Sequence, residues 1–556
     1  MSALAPVPQT IDGLFRARVA QSPDARAYSD RGPNGWRHFT WTEAARTVAR
    51  VRAGLLKSGV QPGDRIGVCA YNSPEWIFCD IAALSLGLTV VPLFFNDRPE
   101  NTAYCLRDAG VQIVFVDRPV APEILASGVR GIVALKEVAG VVSLAHWMPE
   151  DGDETPPGHD AATLATIVYT SGTTGRPKGV MLTHANITSN VAALLDAIPE
   201  VAARDHTFLS FLPLSHMLER TVGGYTAMAI GAHTVFSRGI SELAADLRAA
   251  RPTVLVSVPK VFERSYARMK EEAAASPVRA RALGWAQALG YAAYEGRARG
   301  LKRIAAGFAD LLVARAVRRK LGGRLSYVFM GGAAVSPALL KAFTGLGLRF
   351  VQGYGLTETS PVITCNRLAD HDLESVGRPL AGLALAFPEG EVCVKGASVM
   401  AGYWRNPEAT AQVIDGEGYF HTGDLGHLRD GRLYLTGRAK DVIVLSNGEK
   451  VAPGDVEQAI LEDPVFEQAI VVGEGRGALA LVAVSPLADL EDLQARANAR
   501  LHAFPGYTRI RYVLRVAGPW TVENGLLTPT MKVRRQEVEA RYREAIEDLY
   551  AQPAHH

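Results

Sequence analysis

The chain of 556 residues is long enough for more than one domain and for a large buried core. Its 59 Lys and Arg against 57 Asp and Glu leave a formal net charge of +2, which gives no global argument for nucleic acid or an acidic partner. Five scattered cysteines, Cys69, Cys79, Cys105, Cys365 and Cys393, lack CxxC spacing, which argues against a disulfide framework and a zinc site and fits a reducing compartment.

The opening stretch "MSALAPVPQTIDGLFRARVAQ" lacks the apolar core of a secretory signal, so a cytoplasmic protein is expected; the closing His-His is native or a tag remnant. The longest apolar run, Ile77–Phe95, contains Asp80 and Pro92 and reads as a buried helix leading into a strand, not as a membrane span. Further strands are expected at "DRIGVCA", "TVVPLF", "VQIVFVD", "TFLSFLPL", "PTVLVSVP", "RLSYVFM" and "LRFVQGYG", with helical stretches between several of them. Such alternation predicts an α/β fold. Between Val278 and Arg324 the chain is Ala-rich and carries eleven Lys or Arg against Glu295 and Asp310, a local balance of 11 − 2 = +9. That segment reads as a solvated helical pair, or as a surface drawn to the anionic inner face of a membrane or to an acidic partner.

From about Glu391 short strands joined by glycine turns replace this pattern, with Asp430-Gly431 as a hairpin turn, and predict a small β subdomain closing the large domain. After "GRAKD" (Gly437–Asp441) a compact unit follows, with helices at "GDVEQAILED" and "EDLQARANARLHAF" and strands at "EQAIVVG" and "LALVAVS". The boundary is placed at Lys440, giving a large domain over 1–439 and a small mobile α+β domain over 440–556.

The stretch "YTSGTTGRPKG" (Tyr169–Gly179) follows the strand "ATIVY" and precedes the helical "LTHANITSNVAALLDA". Its glycines allow close backbone approach, hydroxyls of Thr170, Ser171, Thr173 and Thr174 add donors, and Lys178 adds a compact charge, together a cradle for polyphosphate at a helix terminus. It is not the P-loop GxxxxGK[ST], because Gly179 follows Lys178 where a metal-ligating hydroxyl would stand.

With "FLPLSHMLER" (Phe211–Arg220), "FMGGAAVSP" (Phe329–Pro337), "GYGLTETSP" (Gly353–Pro361), "YFHTGDLG" (Tyr419–Gly426), "GRAKDVIVLSNGEKVAP" (Gly437–Pro453) and "NGLLTPTMKVRR" (Asn524–Arg535) in the same order, the chain resembles the AMP-forming adenylating superfamily. That superfamily includes acyl-CoA synthetases, firefly luciferase and peptide-synthetase adenylation domains. The resemblance implies ATP-dependent activation of a carboxylic acid to acyl-AMP with pyrophosphate release, then transfer to a thiol. It implies that Thr170, Ser171, Gly172, Thr173, Thr174, Gly175 and Lys178 bind the β- and γ-phosphates, and that Gly332 and Ala333 in "GGAAV" line the adenine pocket. Tyr354 would stack on adenine beside Gly355, Thr357 would contact the α-phosphate and Glu358 would ligate Mg²⁺. Asp424 and Arg438 would hold the ribose, and His216 would edge the acyl carboxylate. Lys532 would bridge carboxylate and α-phosphate during adenylation. Lys440 occupies the hinge position, where many relatives have Asp, and Gly448 would line the pantetheine tunnel in the second state.

Within the superfamily the text is most similar to long-chain fatty-acid–CoA ligases, through "FLPLSHMLER", "SVPKVFERSYARM" and "LSNGEKVAPGDVE". Fatty acid, ATP and CoA are then the expected small-molecule substrates. A fatty acyl-AMP ligase loading a carrier protein, or a CoA ligase for another apolar or aryl acid, is the alternative; a catalytically dead lipid-binding homologue conflicts with the intact motif residues. Acyl chain length and oligomeric state stay open.

Overall fold

The computed structural model describes residues 6–32, 35–170, 176–202, 205–439, 441–528 and 531–551. The α/β alternation builds two open, mainly parallel sheets among these residues. One runs in the strand order Gly402–Tyr403, Lys178–Thr183, Leu164–Thr170, Thr89–Pro92, Arg65–Cys69, Val111–Val116, Gly131–Ala134. The other runs Arg378–Pro379, Val362–Cys365, Arg349–Gly355, Tyr327–Met330, Val254–Ser257, Thr207–Ser210, His233–Phe236, Arg26–Gly32, Gly35–Thr40. Each of the seven runs expected as strands, and "ATIVY" with them, contributes a strand to one of these sheets. Strands of both sheets and the helices Trp41–Lys57, Pro74–Ser85 and His184–Ala197 share one apolar core.

The apolar run at Ile77 is the helix Pro74–Ser85, every residue of which but Glu75 is buried, followed by the strand Thr89–Pro92. Pro74 opens the helix and the Ser73 hydroxyl accepts the Trp76 N–H at 3.2 Å, so the start is set by sequence-local chemistry. Asp80, fully buried in its middle, is paired with Arg220 and accepts the Tyr225 hydroxyl at 2.7 Å, which is how a charge is tolerated there.

A four-stranded antiparallel sheet, Leu383–Ala386, Glu391–Gly396, Phe420–Arg429 and Arg432–Arg438, forms the small β subdomain. Asp430 (φ 53°) and Gly431 (φ 74°) form the expected hairpin turn. Beyond it, the helices Pro453–Leu461 and Leu490–Arg500 pack on a separate sheet of Gln468–Val472, Leu479–Val484 and Ile510–Val516, which has cores of its own. Lys440, where the hinge is expected, lies outside the described residues.

One local expectation is corrected. The segment after the glycine stretch does not enter a helix directly: Lys178–Thr183 is a strand paired antiparallel to Leu164–Thr170, with Lys178 opposite Thr170, and the helix starts only at His184. The alternation of buried Val180 and Leu182 with Met181 and Thr183 fits a half-buried strand, and Thr183 then caps the helix through Asn186. The expected cradle thus falls in sequence between two paired strands, and the helix starts only beyond the second of them.

Candidate active site

A cleft of about 1390 Å³ opens between the two large sheets, the β subdomain and the C-terminal unit. Thr170, Lys178, His216, Gly332, Ala333, Tyr354, Gly355, Thr357, Glu358, Asp424, Arg438 and Lys532 all line it, so the chain brings together motif residues that stand hundreds of positions apart. Ser171, Gly172, Thr173, Thr174 and Gly175 lie outside the described residues. Gly448 is not brought in: it sits at φ 85° on an exposed turn between Ile443–Val444 and Lys450–Val451.

Strand ends position most of these groups. Gly353–Gly355 finish the strand Arg349–Gly355, and a Cβ on Gly355 would stand 1.8 Å from the Pro361 carbonyl oxygen, so only glycine lets the two segments cross. Just beyond, Glu358 projects into the cleft, its Oε1 accepting the Tyr403 hydroxyl at 3.0 Å. Burial pushes its carboxyl above the ordinary carboxylate value, against the opposing pull of the Tyr403 hydrogen bond and the charges of Arg438 and Lys178. Lys178 Nζ stands over the Tyr403 ring, 5.1 Å from its centre. Tyr403 thus ties Lys178 to the carboxylate opposite, a contact no motif announced; its only sequence signal is an aromatic after a glycine, "AGYW".

Asp424, buried, stands opposite Arg438 in the antiparallel pair and accepts its Nε–H at 2.8 Å and the Tyr354 hydroxyl at 2.7 Å. A second group missed by the sequence reading sits behind it: Glu391 Oε1 accepts the Gly423 N–H at 2.8 Å and fixes the turn that presents Asp424. Gly423 needs its left-handed φ of 73° there.

His216 takes the Leu218 N–H on Nδ1 at 3.2 Å. Burial, reinforced by the Lys532 charge, lowers its pKa to about 4, so the imidazole is neutral near pH 7. Lys532 reaches the cleft from the C-terminal unit, on a tight turn in which its N–H donates to Thr528 Oγ1 at 3.0 Å. Water still reaches its side chain, while the surrounding protein and Arg438 lower its pKa and Asp424 acts in the other direction.

Leu194, Val222, Phe329, Val351 and Val362 extend the same cleft as an apolar wall. A polar end with two lysines, an arginine and two carboxylates, continuous with a hydrocarbon-lined recess, suits a nucleotide joined to an apolar acid.

Residues 15–404 match the AMP-binding enzyme family, and residues 440–554 match the AMP-binding enzyme C-terminal domain. The chain belongs to the AMP-binding enzyme family. This AMP-binding enzyme is 32% identical to a long-chain-fatty-acid–CoA ligase of Mycobacterium bovis, over 95% of each chain. It is 29% identical to a peroxisomal long chain acyl-CoA synthetase of Arabidopsis thaliana, over 95% of this chain and 84% of that one. Among solved structures, the adenylation and carrier didomain of the carboxylic acid reductase of Segniliparus rugosus, in complex with AMP, superposes with a TM-score of 0.79 at 23% identity, covering 98% of this chain and 82% of that one. That likeness is one of fold.

Proposed function

We propose that this enzyme joins a long-chain fatty acid to CoA in two steps through an acyl-AMP intermediate. The observation that carries the reading is the convergence of Lys532 and Lys178 with Glu358, Asp424 and Arg438 on one polar end of an apolar-walled cleft. A carboxylate oxygen attacks the α-phosphorus of ATP, the bond to the bridging oxygen breaks, and pyrophosphate leaves. Lys532 is assigned to the charge that grows between carboxylate and α-phosphate, and Lys178 to the charge on departing pyrophosphate. Asp424 and Arg438 hold the ribose, Tyr354, Gly332 and Ala333 bound the base, Thr357 meets the α-phosphate, and neutral His216 edges the acid.

Glu358, half-buried with a raised pKa, fits a hard cation: a carboxylate whose charge burial disfavours gains most from an ion shared with phosphate oxygens. Bound there, Mg²⁺ would neutralise phosphate charge. In the second step the thiol sulfur of CoA attacks the acyl carbonyl, AMP leaves and the thiol proton goes to solvent. Lys532 must withdraw first, so the unit 440–556 turns about Lys440 and swings Gly448 toward the thiol's approach.

The test is pyrophosphate release with MgATP over acids from acetate to long saturated chains, with and without CoA. Release that peaks on long chains, with acyl-CoA formed only when CoA is present, supports the reading. Acyl-AMP that accumulates despite CoA moves the enzyme to carrier loading, and no release with any fatty acid moves it to another acid class.

A second observation bears on where such an acid is met. Helix Leu301–Ala309 and the turns after it expose Leu301, Ile304, Phe308, Leu311 and Leu312 at 54–84%, on one face by their spacing, among Arg299, Lys302, Arg303 and Arg315. No helix of the described residues is long and apolar enough to cross a membrane. An apolar face edged by cations is what lies in the headgroup layer of an anionic bilayer, and we assign it that contact.

A further inference from the structure

Behind the Gly423 turn, three metal-ligating side chains converge on one point that the adenylation chemistry does not use. Glu391 and Cys393 stand two residues apart on the strand Glu391–Gly396, and so on the same face, while His421 is directly opposite Cys393 on the paired strand Phe420–Arg429. His421 Nδ1 is 3.3 Å from Cys393 Sγ and 2.9 Å from Glu391 Oε2, and the three donor atoms lie within 4.8 Å of one another. The other ring nitrogen, Nε2, faces the Asp415 carboxylate at 3.4 Å, and Asp415 is itself held by the N–H groups of Glu417 and Tyr419, each at 2.9 Å. A carboxylate behind the imidazole is the device that orients a metal-bound histidine and fixes its tautomer. Glu391 is anchored as well: its Oε1 is taken by the Gly423 N–H, so Oε2 is the oxygen turned to the cluster.

We propose that Glu391, Cys393 and His421 form a Zn²⁺ site at the wall of the cleft, which Glu391 and His421 line. A tetrahedral Zn²⁺, at about 2.0–2.1 Å from nitrogen and oxygen and about 2.3 Å from sulfur, needs donor separations of roughly 3.3 Å and 3.6 Å. The present spacings fall short by only a few tenths of an ångström, which rotation of half-exposed His421 and Glu391 supplies. A thiolate with an imidazole selects zinc over magnesium, so this site and the Glu358 site do not compete for one ion. On binding, the thiol proton leaves to solvent and the imidazole proton resides on Nε2, where Asp415 accepts it. CxxC spacing is absent because the ligands come from two paired strands instead of one loop. The site is independent of which acid the enzyme activates.

The test uses the full chain, stripped with chelator and titrated with Co²⁺ as a spectroscopic stand-in. A thiolate-to-cobalt charge-transfer band that saturates at one equivalent, disappears on adding Zn²⁺ and is lost in Cys393→Ser is the expected result. Asp415→Asn, which leaves all three ligands in place, should weaken binding by about 10–100-fold. Absence of the band from the unaltered protein, or its persistence in folded Cys393→Ser, overturns the proposal. Should that variant not fold, His421→Gln replaces it under the same criterion.

Discussion

Lys532 is delivered to the cleft from beyond residue 440, and its lowered pKa reflects the surrounding protein first and the Arg438 charge second. A positive group held against that resistance stabilises the negative charge of a transition state more than it would in water. Lys532→Ala should therefore lower acyl-AMP formation by about 10²–10³-fold, while leaving the thioester step from supplied acyl-AMP largely intact. Equal loss of both half-reactions in single-turnover assays would remove the assignment. Tyr403 offers a finer experiment, since one side chain serves Lys178 through its ring and Glu358 through its hydroxyl. Tyr403→Phe keeps the ring and removes one hydrogen bond, so KM for MgATP should rise about two- to tenfold with kcat nearly unchanged. Tyr403→Leu, which removes both contacts, should exceed it. An unchanged KM in both variants would show that neither contact matters to nucleotide binding.

At the scale of elements, two buried polar groups tie together segments far apart in sequence. Arg220 reaches both Asp80 on the helix Pro74–Ser85 and Thr166 on the strand that leads into the glycine stretch, with Nη1 donating to Thr166 Oγ1 at 2.9 Å. Arg220→Met leaves Asp80 buried with only Tyr225, and should cost about 3–5 kcal/mol in denaturant unfolding. His184 anchors the helix Ile11–Gln21: its Nδ1 accepts the Ile11 N–H at 3.2 Å while its ring stacks on His159, 4.7 Å between centres, and His159 pairs with Asp12. Burial, then the neighbouring His159, lowers the His184 pKa from 6.5 to about 4. Between those values the unfolded chain binds a proton that the folded one refuses, so stability is full above about pH 6.5 and falls as pH drops toward 4, by about 1.4 kcal/mol per unit. His184→Gln should flatten that part of the stability–pH curve; a slope unchanged by the substitution would assign the acid sensitivity elsewhere. Elements of this kind were legible from the sequence where the signal was local, as with the apolar run from Ile77 that forms a buried helix and strand, or Asp430-Gly431 at a hairpin. The strand Lys178–Thr183 was not legible, because a short run of mixed residues before a good helix reads as helix until its partner strand Leu164–Thr170 is known. The same limit hid Tyr403 and Glu391: what each touches is far away in sequence, and an aromatic in a two-residue strand or a glutamate at a strand start carries no spacing signal.

For the whole molecule, the apolar face around Leu301–Leu312 is the feature that the adenylation chemistry leaves unexplained. Leu301, at 84% exposure, and Leu312, at 72%, would each lower the free energy by entering a hydrocarbon layer, at roughly 25 cal/mol for every Å² withdrawn from water. The flanking charges are not all spoken for within the fold: Arg318 pairs with Asp310 and Lys320 with Glu272, while Lys302 and Arg303 stand exposed beside the apolar residues. Cations supply attraction at a distance and the apolar face supplies the hold, so the two contributions separate experimentally. Sedimentation with anionic vesicles should weaken steeply with salt in the unaltered protein, because screening shortens the reach of the charges. Lys302→Gln with Arg303→Gln should weaken binding at low salt by about 2 kcal/mol, roughly thirtyfold, and reduce that salt dependence. Ile304→Ser with Phe308→Ser should weaken binding at every salt concentration and leave its salt dependence in place. If none of these proteins sediments with anionic vesicles at low salt, the face does not meet a membrane, and the +9 balance of the segment is a solvated surface.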